Sequence, residues 1–97
     1  MPTYVVLYKF TDQGRRTLKD SPKRVRQISA AVQKLGGKVS HILYNTGRYD
    51  MVAITEAPND ETALAAGAAV TMAGNAIAET LHAYSVEEFE KALSRVP

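Results

Sequence analysis

The chain of 97 residues contains no cysteine, which excludes disulfide bonds, thiolate catalysis and thiolate metal sites. It also lacks a long apolar segment. The longest helical apolar stretch, at residues 63–73, is interrupted by Gly67 and Thr71 and falls short of the ~20 residues that span a bilayer. The residues after Met1 show no succession of basic, apolar and small residues that would indicate a secretion signal. We therefore predict a cytoplasmic protein without a membrane segment.

A strong charge imbalance is absent as well. The chain has 12 Lys and Arg against 10 Asp and Glu, a net charge of +2. The basic residues concentrate between residues 15 and 26, but no aromatic residue lies among them, as stacking on single-stranded nucleic acid would require. The solvated face of a helix has the same composition, so we predict no nucleic-acid partner.

The length predicts one domain over residues 1–97. A chain of this size buries only roughly 60–65% of the surface that its unfolded form exposes, so its core is modest. Association with a partner subunit would bury a substantial further area. Size alone therefore favours self-association.

Hydrophobic periodicity and the punctuation by glycine and proline predict the elements. After a strand at 3–10 and a loop at 11–14, Ser21 caps a helix that Gly36 and Gly37 end. A hairpin follows, with strands at 38–45 and 49–56. Next come a helix from Asn59 to about Met72, a strand at 76–84 and a short terminal helix with a capping box. The order βαββαβ with an added helix predicts an α+β, ferredoxin-like fold with a four-stranded antiparallel sheet.

Both faces of this sheet are apolar. If Asn45 lies opposite Tyr49 in the hairpin, one face carries Ile42, Val52 and Ile54. The face that the two long helices leave uncovered then carries five residues with little charge: His41, Leu43, Tyr49, Met51 and Ala53. Burial is favoured over exposure for such a surface. We predict a homodimer that stacks sheet on sheet, with a trimer or larger ring as the alternative.

Several short motifs resemble the GYD domain family, over the chain from the first strand to the last helix. They are Lys9-Phe10-Thr11-Asp12-Gln13-Gly14, Asp20-Ser21-Pro22, Leu35-Gly36-Gly37-Lys38-Val39, Gly47-Arg48-Tyr49-Asp50, Glu56-Ala57-Pro58-Asn59-Asp60, Gly74-Asn75 and Glu79-Thr80-Leu81. The resemblance implies the fold and assembly of the dimeric α/β-barrel proteins. It does not imply a reaction, because members of the family are largely uncharacterised.

Four candidate ligand-binding residues lie near the ends of the first and third strands. Tyr49 and Asp50 of the Gly-Arg-Tyr-Asp stretch would form a polar rim that orients a ligand, although a turn and the start of a strand explain them equally. Tyr8 offers apolar area and one hydrogen bond. Asp12 would close the mouth of a pocket, or else cap its own backbone.

Three further candidates are His41, Glu79 and His82. His41 is a proton carrier or ligand group, or a hydrogen-bonded interface residue. Glu79 and His82 are three residues apart on a strand, so they point to opposite faces and do not form an acid–base pair directly. No spacing brings the two histidines together with a carboxylate, so we predict no metal and no cofactor.

No nucleophile elbow or phosphate-binding glycine loop is present. The sequence therefore predicts a small-molecule binding or regulatory module whose pocket lies between the sheet and a partner subunit. Two alternatives stay open: a cofactor-independent enzyme resembling a monooxygenase or isomerase, and a purely structural subunit of an oligomer.

Overall fold

The computed structural model describes all 97 residues. Four strands form one antiparallel sheet in the order β2-β3-β1-β4, and their bounds are β1 Thr3–Phe10, β2 Lys38–Tyr44, β3 Met51–Glu56 and β4 Ala76–Ala83. The helices are α1 Asp12–Arg16, α2 Ser21–Lys34, α3 Asp60–Ala73 and α4 Val86–Leu93. This order confirms the ferredoxin-like α+β fold. None of the four helices combines the length and the apolar character needed to cross a membrane.

The segment after β1 is helical, so the prediction of a loop there is wrong. Thr11 caps α1 by accepting a hydrogen bond from the backbone N–H of Gly14, and a 3₁₀ turn at Leu18–Asp20 leads into α2. Gly14 lies so close to the chain after α3 that an added Cβ would stand 2.0 Å from the carbonyl oxygen of Asn75. Only glycine permits this approach.

The start of α2 also differs from the prediction. Ser21 is the first residue of the helix, and the cap position is held by Asp20, whose side chain makes no capping hydrogen bond. Ser21 is buried, and its Oγ lies 2.9 Å from the hydroxyl of Tyr44 on β2. Its hydroxyl therefore ties α2 to the sheet. The predicted helix end is confirmed, since Gly36 adopts a φ of 87°.

A β-bulge changes the faces of the hairpin. Lys38 pairs with Glu56 as predicted, but the register shifts between Val39 and His41, so that Leu43 pairs with Val52. The prediction that Met51 and Ala53 lie on the uncovered face is therefore wrong. They face the helices and are only 4% and 2% exposed, whereas His41 and Leu43 do point to the uncovered face.

The core lies between α2, α3 and one face of the sheet. Its buried cluster contains Tyr4, Val6, Tyr8, Met51, Ala53, Ala57, Val70 and Ala76. Alternate residues of β1 and β3 supply most of it, which is the period-2 pattern of a sheet with one covered face. Only 13 of the 97 residues are buried, so the core is small for the length of the chain.

The other face of the sheet has no covering layer. We call it the open face. It carries seven aliphatic side chains that the strand register places together: Val5, Leu7, Leu43, Val52, Ile54, Ile77 and Leu81. Helix α4 does not cover them, because all residues from 84 to 97 are exposed to solvent. The Cα radius of gyration is 14.7 Å, above the value of about 12.5 Å expected for a compact chain of this length.

Candidate functional site

A cluster of four polar side chains lies where β1, β4 and α3 meet. Strand pairing places His82 opposite Tyr4, and α3 begins at Asp60 beside them. The hydroxyl of Tyr4 donates a hydrogen bond to Asp60 Oδ1, and His82 Nδ1 lies 3.2 Å from the same oxygen. The ring of His82 stacks on Tyr84 with centroids 4.6 Å apart, and its centroid is 5.0 Å from that of Tyr4. The imidazole is therefore held by one carboxylate and two aromatic rings.

The electrostatics of this cluster follow from its carboxylate. The hydrogen bond to Asp60, together with burial, raises the pKa of Tyr4 to about 12, so the phenol is neutral at physiological pH. Nε2 of His82 has no hydrogen-bond partner in the protein, and the residue lines an open groove between α3 and β4. That nitrogen is free to form a hydrogen bond with a molecule in the groove.

Sequence reasoning did not identify Asp60 as a site residue. The stretch from Asn59 to Glu61 indicates a helix start, and Asn59 does cap α3 by accepting a hydrogen bond from Thr62 N at 2.9 Å. The carboxylate of Asp60, one residue later, contacts Tyr4 from 56 positions earlier in the chain. No local pattern signals a contact of that range.

A second polar pair lies on the open face. The hydroxyl of Tyr49 donates to Glu79 Oε2 at 2.7 Å, so its side chain reaches across β1 to β4. This hydrogen bond to a carboxylate raises the pKa of Tyr49. The guanidinium of Arg48 lies 5.6 Å from the centre of the same ring, a cation–π distance. Glu79 and His82 thus point to opposite faces, as their spacing predicts.

Asp50 has a structural position at the end of β1. Its Oδ2 accepts the backbone N–H of Phe10 at 2.8 Å, and its own N–H donates to the carbonyl of Tyr8 at 2.8 Å. The backbone N–H of Asn45 closes the hairpin by donating to the carbonyl of Asp50 at 2.8 Å. These three bonds use Asp50 to join β1 to the hairpin turn.

Asp12 and His41 lie apart from both polar groups. Asp12 is exposed on α1 and forms an ion pair of 3.0 Å with Arg15. His41 is exposed on the edge strand β2, with Nδ1 3.3 Å from Ser40 Oγ, while His82 lies on the opposite edge strand. No three His, Asp or Glu side chains come together in a way that would hold a metal ion.

Tyr8 lies on the other side of the sheet from Tyr49. It is only 7% exposed and lines an apolar cleft of about 310 Å³ between α2, α3 and the sheet. The seven predicted site residues are therefore distributed over five locations: the open face, the cleft, the groove beside α3, the hairpin turn that holds Asp50, and α1 with Asp12. Helix α4 carries none of the predicted site residues, and its apolar side has no partner within the fold.

Comparison with known proteins identifies one family and one relative. The family model described as GYD domain matches residues 4–93. The glutamine synthetase and cystathionine beta-lyase binding protein of Thermus thermophilus is 30% identical over 89 residues, which cover 91% of this chain and 94% of that protein. No solved structure matches the chain.

Proposed function

The chain belongs to the GYD domain family, and we propose that it is a non-catalytic regulatory module that assembles with itself and binds other proteins. The observation that carries this proposal is the amount of apolar surface that one protomer leaves without a partner, on the open face and on α4. The Thermus relative supports it, since its name describes a protein that binds two enzymes.

A second copy of the chain is the occupant that fits the open face. Leu43, Ile77 and Leu81 are about half exposed or more, and the aliphatic residues between them are half-buried. Monomers rarely expose a contiguous apolar surface of this kind. The face carries few charges, and its one central acid, Glu79, is bonded to Tyr49. A neutral surface can meet its own copy about a two-fold axis without placing like charges opposite each other.

A ligand pocket between two such sheets belongs to the same proposal. The Tyr49 and Glu79 pair supplies a hydrogen-bonding group in an otherwise aliphatic surface. A small molecule held between the sheets would be oriented by that pair, because ligand sites combine apolar walls with few polar groups. His41, on the edge strand β2, would stand at the rim of the interface.

Helix α4 is the surface that we assign to a protein partner. Its N-terminus is stabilised locally by a full capping box between Ser85 and Glu88. Phe89 and Leu93 lie four residues apart and are 61% and 51% exposed. The helix is therefore formed with an apolar stripe but without a groove of its own fold to receive it. An amphipathic helix of this kind binds the apolar groove of another protein.

Binding to purified enzymes tests the proposal. Glutamine synthetase and cystathionine beta-lyase from the source organism are immobilised, and binding of the protein is measured by interferometry. We expect the wild type to bind at least one of the two enzymes. Replacing Phe89 and Leu93 together by serine removes about 2–3 kcal/mol of apolar contact, so the Kd rises by about 30-fold or more.

Leu64→Ser is the matched control, because Leu64 is 75% exposed on α3 and belongs to neither surface. It should leave binding unchanged. The proposal fails if the wild type binds neither enzyme, or if the α4 double variant binds as tightly as the control while its circular dichroism shows α4 intact.

A further inference from the structure

The cleft between α2 and α3 exists because the side chains of α3 are small. Ala66, Ala69 and Ala73 face α2 across a space that their methyl groups do not fill. Val25 and Ile28 of α2 form the opposite wall. The resulting volume of about 310 Å³ lies directly over the sheet.

The size and walls of the cleft define what it can hold. A cavity of about 150 Å³ with apolar walls binds benzene and stays free of water, and natural ligand sites begin at about 300 Å³. The cleft of 310 Å³ therefore suits an organic body of one or two rings. Its predominantly hydrophobic lining gives water few partners, which favours an apolar occupant.

Tyr8 supplies a polar group in the floor of the cleft. Its side chain is more than nine-tenths buried, yet its hydroxyl makes no hydrogen bond to the protein. No fully enclosed side-chain oxygen in the protein lacks a partner, so this hydroxyl is in contact with solvent, and Tyr8 lines the cleft. Burial raises the pKa of Tyr8, which keeps the phenol neutral and able to donate. A ligand acceptor in the cleft can replace water as the hydrogen-bond partner of this hydroxyl.

Arg24 supplies a positive charge at the same cleft. Its guanidinium donates to the carbonyl and Oγ of Thr17 at 3.0 and 2.9 Å and to the carbonyl of Gly14 at 3.5 Å. All three acceptors are neutral, and the ion pairs of the protein involve other residues. The side chain is thus held in position while its charge stays uncompensated. A guanidinium in this state recognises a carboxylate.

We propose that the cleft binds an aromatic carboxylic acid of one or two rings, with the rings between α2 and α3 and the polar end held by Tyr8 and Arg24. This site lies within one protomer and does not depend on the proposed function. Its failure leaves the binding of enzymes by α4 untouched, because the two surfaces share no residue.

Titration with naphthoate, followed through the alanine methyl signals in NMR spectra, tests the site. We expect saturable shifts at Ala66, Ala69 and Ala73. Naphthalenemethanol, which has the same rings without the charge, should bind at least about 10-fold more weakly, the equivalent of losing one charge-assisted contact. Ala69→Leu fills the cleft and should abolish the shifts.

Polar variants separate the two recognition groups from general effects on folding. Tyr8→Phe and Arg24→Gln should each raise the Kd of naphthoate by about 10-fold. Arg26→Gln removes an exposed charge from the same helix and should leave the Kd unchanged. Ala68→Leu enlarges an exposed position of α3 outside the cleft and should also leave it unchanged.

Three results would overturn the assignment. The first is the absence of saturable shifts up to about 1 mM naphthoate, a concentration that covers the weakest binding the assay should detect. The second is equal affinity for the neutral alcohol, and the third is shifts confined to the open face. Circular dichroism of each variant establishes that the comparison is made between folded proteins.

Discussion

Replacing one leucine of the open face should weaken self-association by a predictable amount. Leu43 is 58% exposed, and full burial of a leucine side chain is worth roughly 1.5–3 kcal/mol, so about 1–1.5 kcal/mol remains to be gained in an interface. A two-fold dimer uses the position twice, which gives about 2–3 kcal/mol per dimer. Leu43→Ser should therefore raise the dimer dissociation constant by about 30- to 150-fold.

Sedimentation equilibrium over a range of concentrations measures this constant. Leu64→Ser is the matched control, since it removes the same side chain from the helix layer. Two outcomes refute the reasoning. The first is a wild-type protein that stays monomeric at about 100 μM, a concentration at which even weak self-association is detected. The second is dissociation by Leu64→Ser with no effect of Leu43→Ser, which would place the interface on the helices.

Three further predictions concern stability and ionisation. Urea titrations of Gly14→Ala should show a free energy of unfolding lower by about 3 kcal/mol, because the added Cβ would meet the carbonyl oxygen of Asn75. Gly67→Ala is the control: the nearest atom to its added Cβ lies at 3.9 Å, and the free energy of unfolding should rise by about 0.5–1 kcal/mol. Tyr4 should ionise near pH 12 in absorbance titrations, after the exposed tyrosines. Since its pKa is raised in the folded state from 10.0, its stabilising effect is present below pH 10 and is lost as the pH rises through about 12. Two results would contradict this: ionisation of all the tyrosines at one pH, or a step near pH 12 that remains in Tyr4→Phe. Asp50→Ala should cost about 1–3 kcal/mol by leaving the last N–H of β1 unpaired, and an unchanged urea midpoint would show that water replaces the carboxylate.

The distribution of the predicted residues has a consequence for function. Tyr49 and Glu79 lie on one face of the sheet, whereas Tyr8 and His82 lie on the other. A single active site would require these groups to converge. Their separation agrees with the proposed function, in which different surfaces contact different partners.

The sequence determined the elements and their order because their signals are local. Gly36 ends α2, Asn59 caps α3 and Ser85 begins α4 through contacts within a few residues, so each can be recognised in a short window. These signals suffice to predict the ferredoxin-like fold.

Only the tertiary structure decided which residues meet. The bulge beside Ser40 shifts the hairpin by one position, so that His41 and Leu43 lie on the face opposite to Met51 and Ala53, which pair with Tyr8 and Val6. Asp60 joins Tyr4 and His82 across most of the chain. In both cases the outcome depends on packing between segments that are far apart in sequence. A window of neighbouring residues holds no information about such contacts, because their energy is gained only when the segments come together.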